Sequence, residues 1–90
     1  MNIEKLREEF IELEKFKFNI INCYIMGIVK KSDIDRFQLA LFDFREKLYN
    51  YSYTEEEILE VAKMKSKVQH FTTEIIEDED VLRMAHSNEF

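Results

Sequence analysis

Residues 34–51 read IDRFQLALFDFREKLYNY, with an apolar side chain at every third or fourth position. This spacing places the apolar side chains on one face of an α-helix. Just before the run, Ser32 is followed three residues later by Asp35, an arrangement close to a capping box. The pattern therefore predicts a second helix near 33–51, with a core-facing stripe of Ile34, Phe37, Leu41, Phe44, Leu48 and Tyr51.

A third helix is predicted near 55–76. It opens with Thr54 and Glu57, which form a fuller capping box, and its first-turn acids suit the positive end of a helix dipole. The apolar spacing continues through Val61, Met64, Val68, Phe71 and Ile75. Two consecutive threonines, Thr72 and Thr73, are weak helix formers. We therefore expect a break or kink between about residues 72 and 80, followed by a short C-terminal helical turn.

The first helix is predicted near 3–29, and its two halves differ in character. The first half is amphipathic, whereas residues 18–29 are apolar almost all round. Two further helices of about twenty residues cannot cover a helix that is apolar on every face. We therefore predict a further partner surface, from a second copy of the chain (a homodimer) or from another protein. The residues expected at this interface are Ile21, Tyr24, Ile25 and Ile28.

Composition supports a single helical domain. The chain has 90 residues, one glycine and no proline, so it lacks the turn chemistry of sheet-rich folds and has no glycine-rich phosphate loop. The predicted fold class is all-α: a three-helix bundle with a long first helix, with the second and third helices antiparallel. Residues 1–76 are assigned to the bundle, and residues 77–90 to an acidic C-terminal segment that is partly ordered or swapped.

Charge and cysteine content indicate the setting of the protein. The net charge is −6, and the excess acid lies in residues 54–90, which carry ten acidic and four basic side chains. This balance disfavours nucleic-acid binding, which depends on neutralising phosphates. Cys23 is the single cysteine, the N-terminal sequence does not resemble a signal peptide, and no apolar run is long enough to span a membrane. We therefore expect a cytoplasmic protein that does not insert into a membrane.

Two further surfaces are candidate contacts with a partner protein. Tyr49, Tyr51 and Tyr53 cluster at the connection between the second and third helices, where tyrosine suits an interface edge. The acidic run Glu77, Asp78, Glu79 and Asp80 suits a basic partner surface. Because this run follows the third helix, we expect its acids to oppose that helix dipole and to be solvated.

The sequence contains no catalytic, cofactor-binding or metal-binding motif. His70 and Glu74 share a helix face, but such a pair is usually a surface contact, and Cys23 has no neighbouring base. The predicted function is therefore a small non-enzymatic interaction protein, a regulator or inhibitor that docks on a larger protein.

Two alternatives remain open. The opening Ile3-Glu4-Lys5-Leu6-Arg7 and residues 46–51 resemble the small helical-hairpin aspartyl-phosphate phosphatases of sporulation control. That resemblance implies carboxylate-dependent chemistry at Glu46 or Asp43, although the Ser-Gln-Glu-Leu-Asp core of the family is absent. The other alternative is a nucleic-acid role, in which Lys63, Lys65 and Lys67 bind DNA or the acidic end imitates it.

Overall fold

The computed structural model describes residues 1–89, which form an all-α fold without a strand. Its four α-helices are α1 (Ile3–Ile25), α2 (Lys31–Asn50), α3 (Ile58–Phe71) and α4 (Glu79–Ser87). A 3₁₀ turn, Glu55–Glu57, leads into α3, and a π-helical turn, Thr72–Ile76, follows it. The predicted all-α class is confirmed.

The three long helices run up, down and up. In the antiparallel pair α1 and α2, the ring centroids of Phe10 and Phe44 are 5.7 Å apart and those of Phe16 and Phe37 are 5.3 Å apart. The helix α2 also packs against α3, the π-helical turn and α4. The result is a rod 47 Å long and 18 Å across. In so thin a bundle every helix keeps a wide face open to solvent.

The core contains the predicted stripe of α2. Five of its six members are buried, with at most 3% of their surface exposed, and Tyr51 is half-buried. These side chains meet apolar residues from all of the other helices, including Leu6, Phe10, Leu13, Ile20, Val61, Met64, Val68, Phe71, Val81 and Ala85.

The helix α1 ends at Ile25, four residues earlier than predicted. Gly27 has a positive φ of 76°, and its N–H donates to the carbonyl of Tyr24 at 3.0 Å. The next N–H, from Ile28, donates to the carbonyl of Cys23 at 2.9 Å. These two bonds form a Schellman motif, which ends a helix before its glycine. The predicted helix end near residue 29 therefore lies beyond the glycine that stops the helix.

The start of α2 also differs from the prediction. The helix begins at Lys31, because the Asp33 carboxylate accepts the backbone N–H of Lys30 at 3.0 Å and so closes the first turn. Asp35, which was expected to act with Ser32, instead accepts from the Lys31 ammonium at 2.9 Å.

The expected break after α3 is confirmed. In the π-helical turn, the N–H of Glu77 donates to the carbonyl of Thr72, five residues earlier, at 2.9 Å. The Thr72 hydroxyl also donates to the carbonyl of Val68 at 3.2 Å. A threonine that bonds back to the preceding turn perturbs a helix, which fits the wider turn found here.

Three of the four acids, Asp78, Glu79 and Asp80, lie at the start of a helix, so the expectation that they oppose a helix dipole is wrong. Only Glu77 lies at a C-terminal helix end, that of the π-helical turn. The Asp78 carboxylate caps α4 by accepting the N–H of Val81 at 3.0 Å. Glu79 and Asp80 occupy the first turn of α4, where acids are favourable. The third helix was predicted to extend to about residue 76, so the acids were expected just after its C-terminal end.

The helix α4 continues along the bundle in the direction of α3 and packs on its core. Val81 and Ala85 are buried in the same core as the residues of the long helices. At its far end, the side-chain amide of Asn88 donates to the carbonyls of Gly27 and Val29, both at 3.0 Å. An exchange of this segment between two copies stays a prediction.

Candidate functional site

The end of α1 carries an apolar surface open to solvent. We refer to Phe18, Ile25, Met26 and Ile28 as the α1-end patch; their exposed fractions are 56%, 73%, 69% and 52%. Of the residues predicted at this interface, Ile25 and Ile28 belong to the patch. Ile21 and Tyr24 are half-buried and pack against the core.

The patch exists because residues 18–29 are apolar on more faces than the bundle covers. Ile20 and Val29 are buried, so part of this segment does face the core. Ile25 and Met26 close the last turn of α1, and the chain then reverses at Gly27. Apolar side chains clustered in this way typically mark a contact with another protein.

The structure separates the three candidate tyrosines. Tyr49 and Tyr53 are about half exposed, and the Lys65 ammonium lies 4.7 Å from the first ring centroid and 5.5 Å from the second. The Arg45 guanidinium lies 5.6 Å from the Tyr49 ring. Phe42 is 45% exposed and lines a surface depression together with Arg45 and Tyr49. We refer to these five residues as the tyrosine patch.

Tyr51 takes part in a different contact. Its hydroxyl donates to the Glu57 carboxylate at 2.7 Å, and the N–H of Thr54 donates to the same oxygen at 3.1 Å. The bond from the hydroxyl lowers the pKa of Glu57 and raises the pKa of Tyr51, because it favours the charged acid and the protonated phenol. Tyr51 therefore fixes the turn before α3.

A bidentate ion pair joins α1 to α3 near this turn. The Arg7 guanidinium donates to both carboxylate oxygens of Glu60, at 2.5 and 2.8 Å. These hydrogen bonds lower the pKa of Glu60 and raise the pKa of Arg7, because they stabilise both charged forms. The pair links the two parallel helices at the surface of the bundle.

Two members of the acidic run remain open for contact with a partner. Asp78 is engaged as the cap of α4, and Asp80 pairs with Arg83 at 3.4 Å. Glu77 and Glu79 are exposed and make no ion pair within the described residues. The surface that this run offers to a basic partner is therefore narrower than its sequence suggests.

The two carboxylates of the phosphatase alternative, Asp43 and Glu46, have different surroundings. Asp43 forms an ion pair with Lys47 at 3.1 Å, and Lys47 also pairs with Glu9 at 3.1 Å across to α1. Glu46 is exposed on α2.

Two basic residues of the nucleic-acid alternative, Lys63 and Lys67, line one groove between α1 and α3, and Lys65 lies elsewhere. Lys67 pairs with Glu14 at 3.6 Å, and Lys65 belongs to the tyrosine patch. The groove has a volume of about 510 Å³ and also exposes Ile11 and Leu59. This groove was not predicted from the sequence.

Glu74 was considered as a metal ligand together with His70, and Cys23 was considered as a nucleophile. Glu74 pairs with Lys17 at 3.2 Å, and Cys23 is a half-buried free thiol. Residues 1–89 contain no group of three or more His, Cys, Asp or Glu side chains with the geometry of a metal site. Within the same residues, no helix has the length and apolar character needed to cross a bilayer.

Comparison with known proteins adds no relative. No family model, no curated protein and no solved structure matches this chain.

Proposed function

We propose that this chain is a small non-enzymatic interaction protein, a cytoplasmic regulator or inhibitor that docks on a larger protein or on a second copy of itself. The observation that carries this proposal is the α1-end patch, where four large apolar side chains share one end of the rod and are each more than half exposed. The lone half-buried thiol of Cys23 suits a reducing compartment.

The size of the patch indicates what kind of contact it supports. Fully burying a large apolar side chain contributes about 1.5–3 kcal/mol, so covering the exposed parts of these four contributes about 4–7 kcal/mol. Association itself costs about 4–15 kcal/mol in lost translational and rotational freedom. The patch is therefore a central anchor of an interface, and a stable complex requires further contact around it. Glu77 and Glu79, which make no ion pair within residues 1–89, are the proposed contacts with a basic partner surface.

A pair of matched substitutions tests the proposal. Ile25 and Leu39 are equally exposed, at 73% and 72%, and Leu39 lies on α2 away from the core-facing stripe. Ile25→Lys and Leu39→Lys change the net charge equally. A cation at the C-terminal end of α1 is favourable to the helix dipole, so Ile25→Lys is not expected to unfold the helix.

The readouts are sedimentation velocity of the purified protein and identification of co-purifying proteins from host lysate. We expect Ile25→Lys to abolish the dimer or to remove one specific co-purifying partner, and Leu39→Lys to leave both unchanged. A monomeric wild-type protein whose co-purifying partners are the same for both variants would contradict the proposal.

A further inference from the structure

Within residues 1–89, four cations of this acidic protein lack a carboxylate partner. All other lysine and arginine side chains in this part of the chain form an ion pair within 4 Å. The four exceptions are Lys30, Arg45, Lys63 and Lys65.

Two of these four cations converge on one aromatic ring. The Lys65 ammonium and the Arg45 guanidinium lie 4.7 and 5.6 Å from the centroid of Tyr49. Both are attracted to the face of the ring, and both repel each other. A carboxylate of a partner that contacts either cation would supply the ion pair that the cation lacks within residues 1–89.

An apolar depression adjoins the two cations. It has a volume of about 320 Å³ and is lined by Phe42, Arg45, Glu46 and Tyr49. Phe42 and Tyr49 supply exposed aromatic surface at its walls. Exposed aromatic residues beside arginine are enriched in protein interfaces, and they often anchor a side chain of the partner.

Resting on the proposed role as an interaction protein, we infer that the tyrosine patch binds an acidic segment of a partner protein. An apolar side chain of that segment sits in the depression between Phe42 and Tyr49, and flanking carboxylates meet Arg45 and Lys65. The patch offers only two free cations, Glu46 stands at its rim, and the chain carries a net charge of −6. These features favour a short acidic peptide over a nucleic acid, whose binding relies on many phosphate contacts.

The test is a titration of isotope-labelled protein followed by amide chemical shifts. The probes are three synthetic peptides of equal length with one central phenylalanine, flanked by glutamate, by glutamine or by lysine. We expect the glutamate peptide to shift amides in residues 42–53 and around residue 65, and the other two peptides to bind there more weakly. Raising the salt concentration is expected to weaken binding of the glutamate peptide, because its contacts are electrostatic.

Matched double variants isolate the two cations. Arg45→Gln with Lys65→Gln removes the pair at the patch, whereas Lys30→Gln with Lys63→Gln removes the two unpaired cations elsewhere. Both double variants have the same net charge and alter exposed or half-exposed side chains. We expect the first double variant to weaken binding of the glutamate peptide about fivefold to tenfold and the second to leave its affinity unchanged.

Several outcomes would overturn the inference. If the glutamine or lysine peptide binds the patch as tightly as the glutamate peptide, or more tightly, the inference of an acidic partner segment is wrong. The proposed function as an interaction protein is not affected by that result. Equal weakening by both double variants would assign the effect to net charge, and the absence of any shift at the patch would remove the site. Tighter competition by a thymidine oligonucleotide would assign the patch to single-stranded nucleic acid, and shifts on concentrating the protein alone would assign it to a second copy.

Discussion

Replacing Asp78 by Ala removes the carboxylate that caps α4. The Asp78 carboxylate accepts the N–H of Val81 at 3.0 Å, at the start of a helix of nine residues. Loss of such a cap costs about 0.5–2 kcal/mol and typically about 1 kcal/mol. Because α4 buries Val81 and Ala85 in the shared core, we expect the whole fold, rather than a frayed end, to lose this stability.

The expected shift in melting temperature follows from the size of the chain. The entropy of unfolding is about 2.1 cal/mol/K per residue, so a chain of 90 residues has about 190 cal/mol/K. A loss of about 1 kcal/mol then lowers Tm by about 5 °C. Thermal unfolding followed by far-ultraviolet circular dichroism measures this shift.

Two further variants separate the cap from the charge. Asp78→Asn keeps a side-chain oxygen that accepts the same N–H, so it should lose much less stability than Asp78→Ala. Glu77→Gln removes a neighbouring exposed charge, and its effect should lie within about 0.5 kcal/mol of zero. If the Asn variant is destabilised as much as the Ala variant, or if the Ala variant melts with the wild type, the capping argument is wrong.

Two other predictions concern the core and the acid limb of stability. Phe37 is fully buried, so Phe37→Ala should cost about 3–5 kcal/mol in urea unfolding, whereas Phe42→Ala on the exposed side of α2 should cost far less; similar losses would contradict the described core. Arg7 lowers the pKa of Glu60, so the unfolded chain takes up this proton first and the stabilisation is lost as the pH falls below about 4.5. Glu60→Gln should therefore flatten the fall of the urea midpoint in acid, and a fall as steep as that of the control Glu8→Gln would contradict this assignment.

The helices were predictable from the sequence because their signals are local. The three-four spacing of α2 correctly identified its buried stripe, and Thr54 with Glu57 identified the start of the turn before α3. Helix ends were less predictable, because several residues compete to close a turn. At the start of α2 the first turn is closed by Asp33 rather than Asp35, and at α1 the Schellman motif ends the helix before Gly27.

The candidate surfaces were predictable only in part. Excess apolar character along one helix was enough to predict the exposure of Ile25 and Ile28. The tyrosine patch, in contrast, joins Arg45 of α2 to Lys65 of α3, and the register between two helices cannot be read from either alone. Similarly, the spacing of the tyrosines did not show that Tyr51 turns to Glu57 while its neighbours remain exposed.

The central position of α2 determines how the molecule opens. The helix α2 packs against α1, α3, the π-helical turn and α4. If one of these elements detaches, the others still pack against α2. Local opening events therefore expose α4 and the outer faces of the long helices well before α2. The amides of α2 should be the last to exchange their hydrogens with solvent, at the rate set by complete unfolding.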